Sequence, residues 1–254
     1  MYVYLYDNFL DQRKYDSTIK EMENRLTDYG IAGKIIRLQN FTNPDAIIKE
    51  EIRRGAETIV LVGNDDTFGK VLSKAASTDA LFGFLPVGKN NSIAEVLGIP
   101  VGVDACETLS RRRKMKLDVG WFNNQYFINQ LHIPPANIDV EYDEKFTVSP
   151  TEGKIELAVC NLQPFYWDDN QEKVDVHPQD GKLEAFLRPV KEGGWFSSNK
   201  YEDVSVFPFE EMVIRGEQPF NVIADEKESK EVEVKIRLAK NRIDMVVGKN
   251  RKFN

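Results

Sequence analysis

A chain of 254 residues has room for one large or two small domains, and 41% hydrophobic with 30% charged content suits a globular protein; no apolar run is long enough for a membrane-spanning helix. A net charge of −7 argues against nucleic acid as the main partner and against strong attraction to anionic lipid, because phosphate binding needs a basic face. Cys106 and Cys160 are too few for a disulfide framework, and the start Met1-Tyr2-Val3-Tyr4-Leu5-Tyr6-Asp7 lacks the basic lead and long apolar segment of a signal peptide. A cytoplasmic protein with at most peripheral membrane contact is the expectation; composition leaves the oligomeric state open.

Tyr2–Tyr6 reads as the first strand, and Ile19, Met22, Leu26 and Tyr29 mark one face of a helix closed by Gly30. Lys34–Leu38 is the second strand. Asn43-Pro44 starts a helix as N-cap and first-turn proline, with Ile47, Ile48 and Ile52 on its buried face. Thr58–Val62, bounded by Gly55 and Gly63, is a short run of β-branched and aliphatic residues that reads as a parallel strand buried on both faces. The turn Gly63-Asn64-Asp65-Asp66-Thr67 leads into a helix with Phe68, Val71, Leu72 and Ala75 on one face. A second copy follows: the strand Leu81–Pro86, the polar turn Val87-Gly88-Lys89-Asn90-Asn91, and a short helix capped by Ser92. Two polar turns at the carboxyl ends of successive strands are where an open α/β sheet binds its ligand. Arg111-Arg112-Arg113-Lys114 reads as a solvated helix end whose cations favour the C-terminal dipole, with a phosphate or lipid head-group contact as the lesser alternative.

The pattern changes near Arg113. Lys114–Phe122 and Gln125–Leu131 read as a hairpin across Asn123-Asn124, and strands dominate from there to Ile243–Val247. Val232, Val234, Ile236 and Leu238 alternate with charged residues, one face buried and one wet. Glu226–Glu231 reads as a charged loop, Gln163–Gln179 as a longer polar one. His132 and His177 have no Cys or carboxylate companions at ligand spacing, so no dedicated zinc site is expected.

VGNDDTFGKV resembles the GGDGT-x-NEV loop of the diacylglycerol kinase, sphingosine kinase and NAD kinase superfamily, and FLPVGKNNSIAEVLGIP resembles its IPLGTGNDFARALGIP. Asp118-Val119-Gly120 with Phe127-Ile128-Asn129 is similar to a "D-x-G…F-x-N" hairpin. Gln179–Glu184 resembles the "DG-x-L" motif, and Ala224-Asp225-Glu226 lies where a DGE motif is expected. The resemblance implies an α/β protein: a Rossmann-like nucleotide-binding domain over residues 1–113 and an antiparallel β-sandwich over 114–254, as in NAD kinase and diacylglycerol kinase. It implies ATP and Mg²⁺ as cofactors and a hydroxyl on a lipid or lipid-like acceptor as the target. Gly63, Asn64, Asp66, Thr67, Gly88, Lys89, Asn90, Asn91 and Ser92 would bind the nucleotide, and Asp65 and Asp225 would be catalytic. The acceptor would lie in a cleft between the domains, and Gly193-Gly194-Trp195-Phe196 is the stretch to watch for it.

The departures matter. Asn64, Asp66 and Asn90 replace glycines, Lys89 replaces a threonine, and Glu226 and Lys227 stand where the family has Gly and Glu. Asp66 adds a negative charge beside the implied triphosphate; either Lys89 on the neighbouring loop offsets it as an ion pair, or Lys89 extends into water and Asp66 caps the following helix. The glycine losses raise a second reading, a non-catalytic descendant that binds a nucleotide or another phosphorylated ligand. NAD kinase activity is a third, weaker because the later motifs look like the lipid kinases.

Overall fold

A computed structural model describes residues 1–39, 43–150, 152–167, 174–191, 193, 198–225 and 227–253. The elements in chain order are β1 Tyr2–Tyr6, α1 Asp16–Asp28, β2 Lys34–Arg37, α2 Pro44–Arg53, β3 Thr58–Gly63, α3 Asp65–Ala75, β4 Leu81–Pro86, α4 Ser92–Val96, α5 Ala105–Arg111 and β5 Lys114–Leu117. Then come β6 Gly120–Phe122, β7 Gln125–Phe127, β8 Gln130–Ala136, β9 Ile138–Tyr142, β10 Phe146–Val148, β11 Lys154–Cys160 and β12 Leu183–Lys191. The last are β13 Lys200–Tyr201, β14 Ser205–Phe209, β15 Glu211–Ala224, β16 Lys227–Leu238 and β17 Ile243–Val246. The chain divides into two compact units, residues 1–117 with 241–254, and residues 118–240.

The first unit is a six-stranded sheet in the order β2-β1-β3-β4-β17-β5, parallel throughout except for the last pair. Right-handed β-α-β crossovers demand helices on the faces of such a sheet, and α1 packs with α5 while α2 packs with α3. Every residue of β3 and of β4 is buried, as runs without polar alternation require. The helix faces follow the sequence pattern: Ile19, Met22 and Leu26 are buried under α1, whereas Tyr29 is exposed at its end. Asn43 accepts a hydrogen bond from Asp45 N, capping α2 as its residue type suggests.

The order β2-β1-β3 means that the chain leaves β1 in one direction and reaches β3 in the other. The carboxyl ends of β1 and β3 therefore form the switch point of the sheet, where adjacent crossovers part and leave a crevice.

Residues 241–254, expected to end the sandwich, belong to the first sheet. Ile243–Val246 pairs with β4 in parallel and with Lys114–Leu117 antiparallel. Ile243, Met245 and Val246 are buried there, and β4, apolar on both faces, needs a partner on its second edge. The expected boundary at Arg113 accordingly moves to Leu117–Asp118, with a return at Lys240–Asn241.

The second unit is an antiparallel sheet of eleven strands, continuously hydrogen-bonded. Residues from β6 to β16 share a single buried cluster that includes Phe127, Leu157, Phe209 and Ile236. Asn123 and Asn124 both take positive φ in the β6–β7 turn, which asparagine tolerates best among side-chain-bearing residues. The segment read as a charged loop, Glu226–Glu231, begins strand β16 at Lys227. Its backbone pairs with β15 from Ala224↔Lys227 onward while its charged side chains face water. Met212–Ile214 and Phe220–Ile223 are likewise two ends of the single strand β15, joined through a register irregularity between Arg215 and Phe220.

Candidate functional site

In the first unit, three segments meet at the switch point: Asp7 after β1, Asn64–Thr67 after β3, and Gly88–Ser92 after β4. Asn64 is the N-cap of α3, and its Oδ1 accepts from Thr67 N at 3.2 Å while Thr67 Oγ1 accepts from Asn64 N at 3.2 Å, a complete capping box. Thr67 Oγ1 also donates to Asp7 Oδ2 at 2.8 Å, tying the ends of β1 and β3 together. A Cβ at Gly63 would strike the Thr67 side chain, so this glycine serves the capping box itself.

Asp65 makes the second tie. Its carboxylate accepts from Ser92 N at 2.7 Å, Ser92 Oγ at 2.7 Å and Ile93 N at 3.1 Å, and its own N–H donates to Asn90 O at 2.9 Å. Burial pushes its carboxyl above the ordinary value, the bonds from Ser92 and Ile93 offset part of this, and neighbouring Asp66 adds to the rise. Asn90 takes φ +60° and Gly88 φ +87°, left-handed conformations that the loop needs to bring Asn90 O back to Asp65. Asn91 Nδ2 holds the loop by donating to Gly88 O at 3.0 Å, while its buried Oδ1 has no partner among the described residues.

The first unit thus brings nine residues of the expected nucleotide site, with Asp65, onto two adjoining loops, and it adds Asp7, Phe9 and Tyr15, which sequence reasoning missed. A Cβ at Gly88 would lie 3.1 Å from Tyr15 Oη and 3.4 Å from Phe9, whose rings meet edge-on at 5.4 Å. The only sequence signal for them was an aromatic–acidic run directly after the first strand. Asp66 is exposed and receives Asn64 Nδ2 at 3.4 Å, and Lys89 is exposed as well. Among the described residues no ion pair joins the two, so the opposite charges are not the expected pair.

Tested against ATP, the loop backbone offers no open phosphate cradle, and the exposed tip residues Lys89 and Asn90 are left to meet a phosphate. The N–H groups of Asn64, Asp65, Thr67, Ser92 and Ile93 already have acceptors within the chain. The space beside Gly88 is filled by Tyr15 and Phe9. A phosphate cradle needs open donors and a bare backbone to approach. Asn64 shows how the replacement matters: a glycine there would leave Thr67 N without its side-chain acceptor. For Mg²⁺, no group of three or more His, Cys, Asp or Glu residues suited to a metal occurs among the described residues.

In the second unit the later motifs converge on one another. Asp225, at φ +42°, accepts from Ile128 N at 2.5 Å, Asn129 N at 2.9 Å and Gln130 N at 3.1 Å. Asn161 Nδ2 donates to Ile128 O at 2.7 Å and to Asp118 O at 2.9 Å, and buried Asp118 accepts from Gly181 N at 3.1 Å. Asp225 is therefore a bracket on the turn into β8, and the "D-x-G", "F-x-N" and "DG-x-L" residues are bonded into the same polar network. Glu226 and residues 194–196 lie outside the described residues. His132, which lacked a companion by spacing, gains one through strand pairing: its Nε2 lies 3.0 Å from Glu156 Oε1 on β11.

The chain thus combines a parallel-sheet α/β unit, whose strand-end loops meet at the switch point, with a large antiparallel β unit. Residues 3–122 match the diacylglycerol kinase catalytic domain family. The chain is 35% identical over 85 residues to a diacylglycerol kinase of Bacillus subtilis (strain 168), an alignment spanning 32% of this chain and 28% of that one. Its fold matches the crystal structure of a diacylglycerol kinase from Bacillus anthracis str. Sterne with a TM-score of 0.78 at 16% identity, covering 98% of this chain and 97% of the other. The chain is thus similar to these kinases in fold, and over residues 3–122 in sequence.

Proposed function

We propose that this chain is a lipid kinase-like protein that binds a nucleotide or another phosphorylated ligand at the loops after β3 and β4 without transferring phosphate. The observation that carries the reading is the state of its two candidate catalytic carboxylates. Asp65 and Asp225 are each bonded to backbone N–H groups on both oxygens, so most of their accepting capacity already serves the fold. Exposed Lys89 and Asn90 at the loop tip offer a cation and an amide to a phosphate.

A second reading is an ATP- and Mg²⁺-dependent kinase acting on a hydroxyl of a lipid or lipid-like acceptor. The match of residues 3–122 to the catalytic domain and the raised carboxyl of Asp65 favour it, since a base works best with its pKa near the working pH. One pair of measurements separates the two. Titration calorimetry with ATP and ADP, with and without Mg²⁺, reads binding, and labelled-phosphate transfer over a panel of extracted lipids reads turnover. Binding without turnover is expected. Turnover that disappears in Asp65→Asn establishes the kinase, and no binding of any nucleotide at millimolar concentration refutes both readings.

A further inference from the structure

The second unit holds a cavity of about 1010 Å³ on the β12–β14 face of its sheet, remote in sequence from the loops described above. Five of its lining residues are acidic, Asp175, Asp180, Glu184, Glu202 and Asp203, and two are basic, Lys182 and Arg188. Arg188 is already committed. Its guanidinium donates to Glu156 Oε2 at 2.5 Å and lies between the rings of Trp167 and Tyr201, 4.4 and 4.0 Å from their centroids. Glu202 pairs with Lys191 at 2.6 Å. Four carboxylates and one lysine are left to meet a ligand. Glu184 is only 8% exposed, and its Oε2 is buried with no hydrogen-bond partner among the described residues. A buried acceptor in this state carries a desolvation cost that a ligand donor would remove.

We propose that this cavity binds a small organic cation bearing a primary ammonium group, with Glu184 as its anchoring carboxylate. An anion is disfavoured by the excess of acid. A metal ion needs several carboxylates within one coordination sphere, and no such group of three occurs among the described residues. An ammonium needs only one well-placed carboxylate for a charge-assisted bond, and its carbon chain can lie against Val204, Val206 and Phe207.

The charges around Glu184 give the site a pH dependence. Asp180 and Lys182 face it from the preceding turn, Cys160 is its register partner on β11, and Pro208 on β14 brings no charge. Asp175 lines the same cavity. Burial first, and then Asp180, push the Glu184 carboxyl up to about 7. An ammonium requires the ionised form, so binding releases a proton near neutrality and strengthens as pH rises through that value.

The test is calorimetric titration of the full chain with putrescine, with tetramethylammonium, Ca²⁺ and inorganic phosphate as comparison probes. Putrescine should bind with an enthalpy that changes with buffer ionisation, the signature of proton release. Glu184→Gln should weaken binding about tenfold or more and abolish the proton release. Lys182→Gln should strengthen binding, an opposite effect that misfolding could not produce. No putrescine binding, an unchanged affinity in Glu184→Gln, or Ca²⁺ competing at the same site with the same dependence on Glu184 would each overturn the proposal. Because the probe carries no phosphate, the outcome is independent of nucleotide binding at the first unit.

Discussion

Asp225→Asn separates a bracket from a catalytic base. The carboxylate receives three backbone N–H groups from consecutive residues, 128 to 130. Asparagine keeps one oxygen, enough for Asn129 N and Gln130 N, but turns an amide toward Ile128 N, donor against donor. It tolerates φ +42°, so backbone strain adds little. A hydrogen bond to a charged group contributes about 1.5–3 kcal/mol, and a stranded buried donor costs about 1–3 kcal/mol. Loss of one such bond and of charge assistance to two others therefore destabilises the second unit by about 3 kcal/mol. The assay is urea unfolding followed by tryptophan fluorescence, because Trp121, Trp167 and Trp195 all lie within residues 118–240. Amide exchange at Ile128–Gln130 gives the local readout. A change below about 0.5 kcal/mol with unaltered exchange would refute the bracket; if phosphate transfer were lost as well, Asp225 would be the base.

Four further outcomes follow from the same reasoning. Asn64→Gly with Asp66→Gly removes the side-chain cap and one acid beside the loops; calorimetry should show tighter ATP binding at a stability cost of a few tenths of a kcal/mol from the cap. Gly88→Ala forces a side chain into φ +87° against Tyr15 and should lower stability by about 1–3 kcal/mol in thermal unfolding. Arg188→Met removes the guanidinium from Glu156, which is 5% exposed, leaving the His132 ring nitrogen at 3.0 Å, and should cost about 3 kcal/mol. Acid titration checks the sign: burial raises the Glu156 carboxyl, but hydrogen bonds from His132, Arg188 and Trp167 outweigh it and hold it below 4.5. Its stabilisation is thus complete above the ordinary carboxylate range and is lost as pH falls through the depressed value, so Arg188→Met should begin acid unfolding at higher pH than the parent chain.

The first unit was legible because its signals are local. A continuous apolar run such as Thr58–Val62 needs burial on both faces, and a cap such as Asn43 or a left-handed turn pair such as Asn123-Asn124 acts within a few residues. What sequence reasoning missed was set by partners distant in the chain. Ile243–Val246 reads as one more antiparallel strand until β4 supplies its edge. The charged start of β16 reads as loop because strand formation there comes from β15 and not from its own side chains. In the candidate site, residue positions were legible but their bonds were not. Asp65 and Asp225 have the right chemical type for catalysis, but their bonds to the N–H groups of Ser92, Ile93 and Ile128–Gln130 come from partners distant in the chain. Lys89 and Asp66 have opposite charges on adjoining loops, yet both prefer water, as exposed pairs worth less than about 1 kcal/mol often do.

The return of the chain to the first sheet has a consequence for how the molecule is made. The ribosome delivers β4 more than 150 residues before its neighbour Ile243–Val246, and Gly248 N and Lys252 N, which bond to Leu97 O and Val96 O, come later still. Throughout synthesis of the second unit, β4 has an unfilled edge of buried-type residues, a template for pairing with another chain. Truncation at Arg113 would make that nascent state permanent and should yield aggregate, whereas joining residues 1–117 to 241–254 through a short flexible linker should yield a soluble sheet.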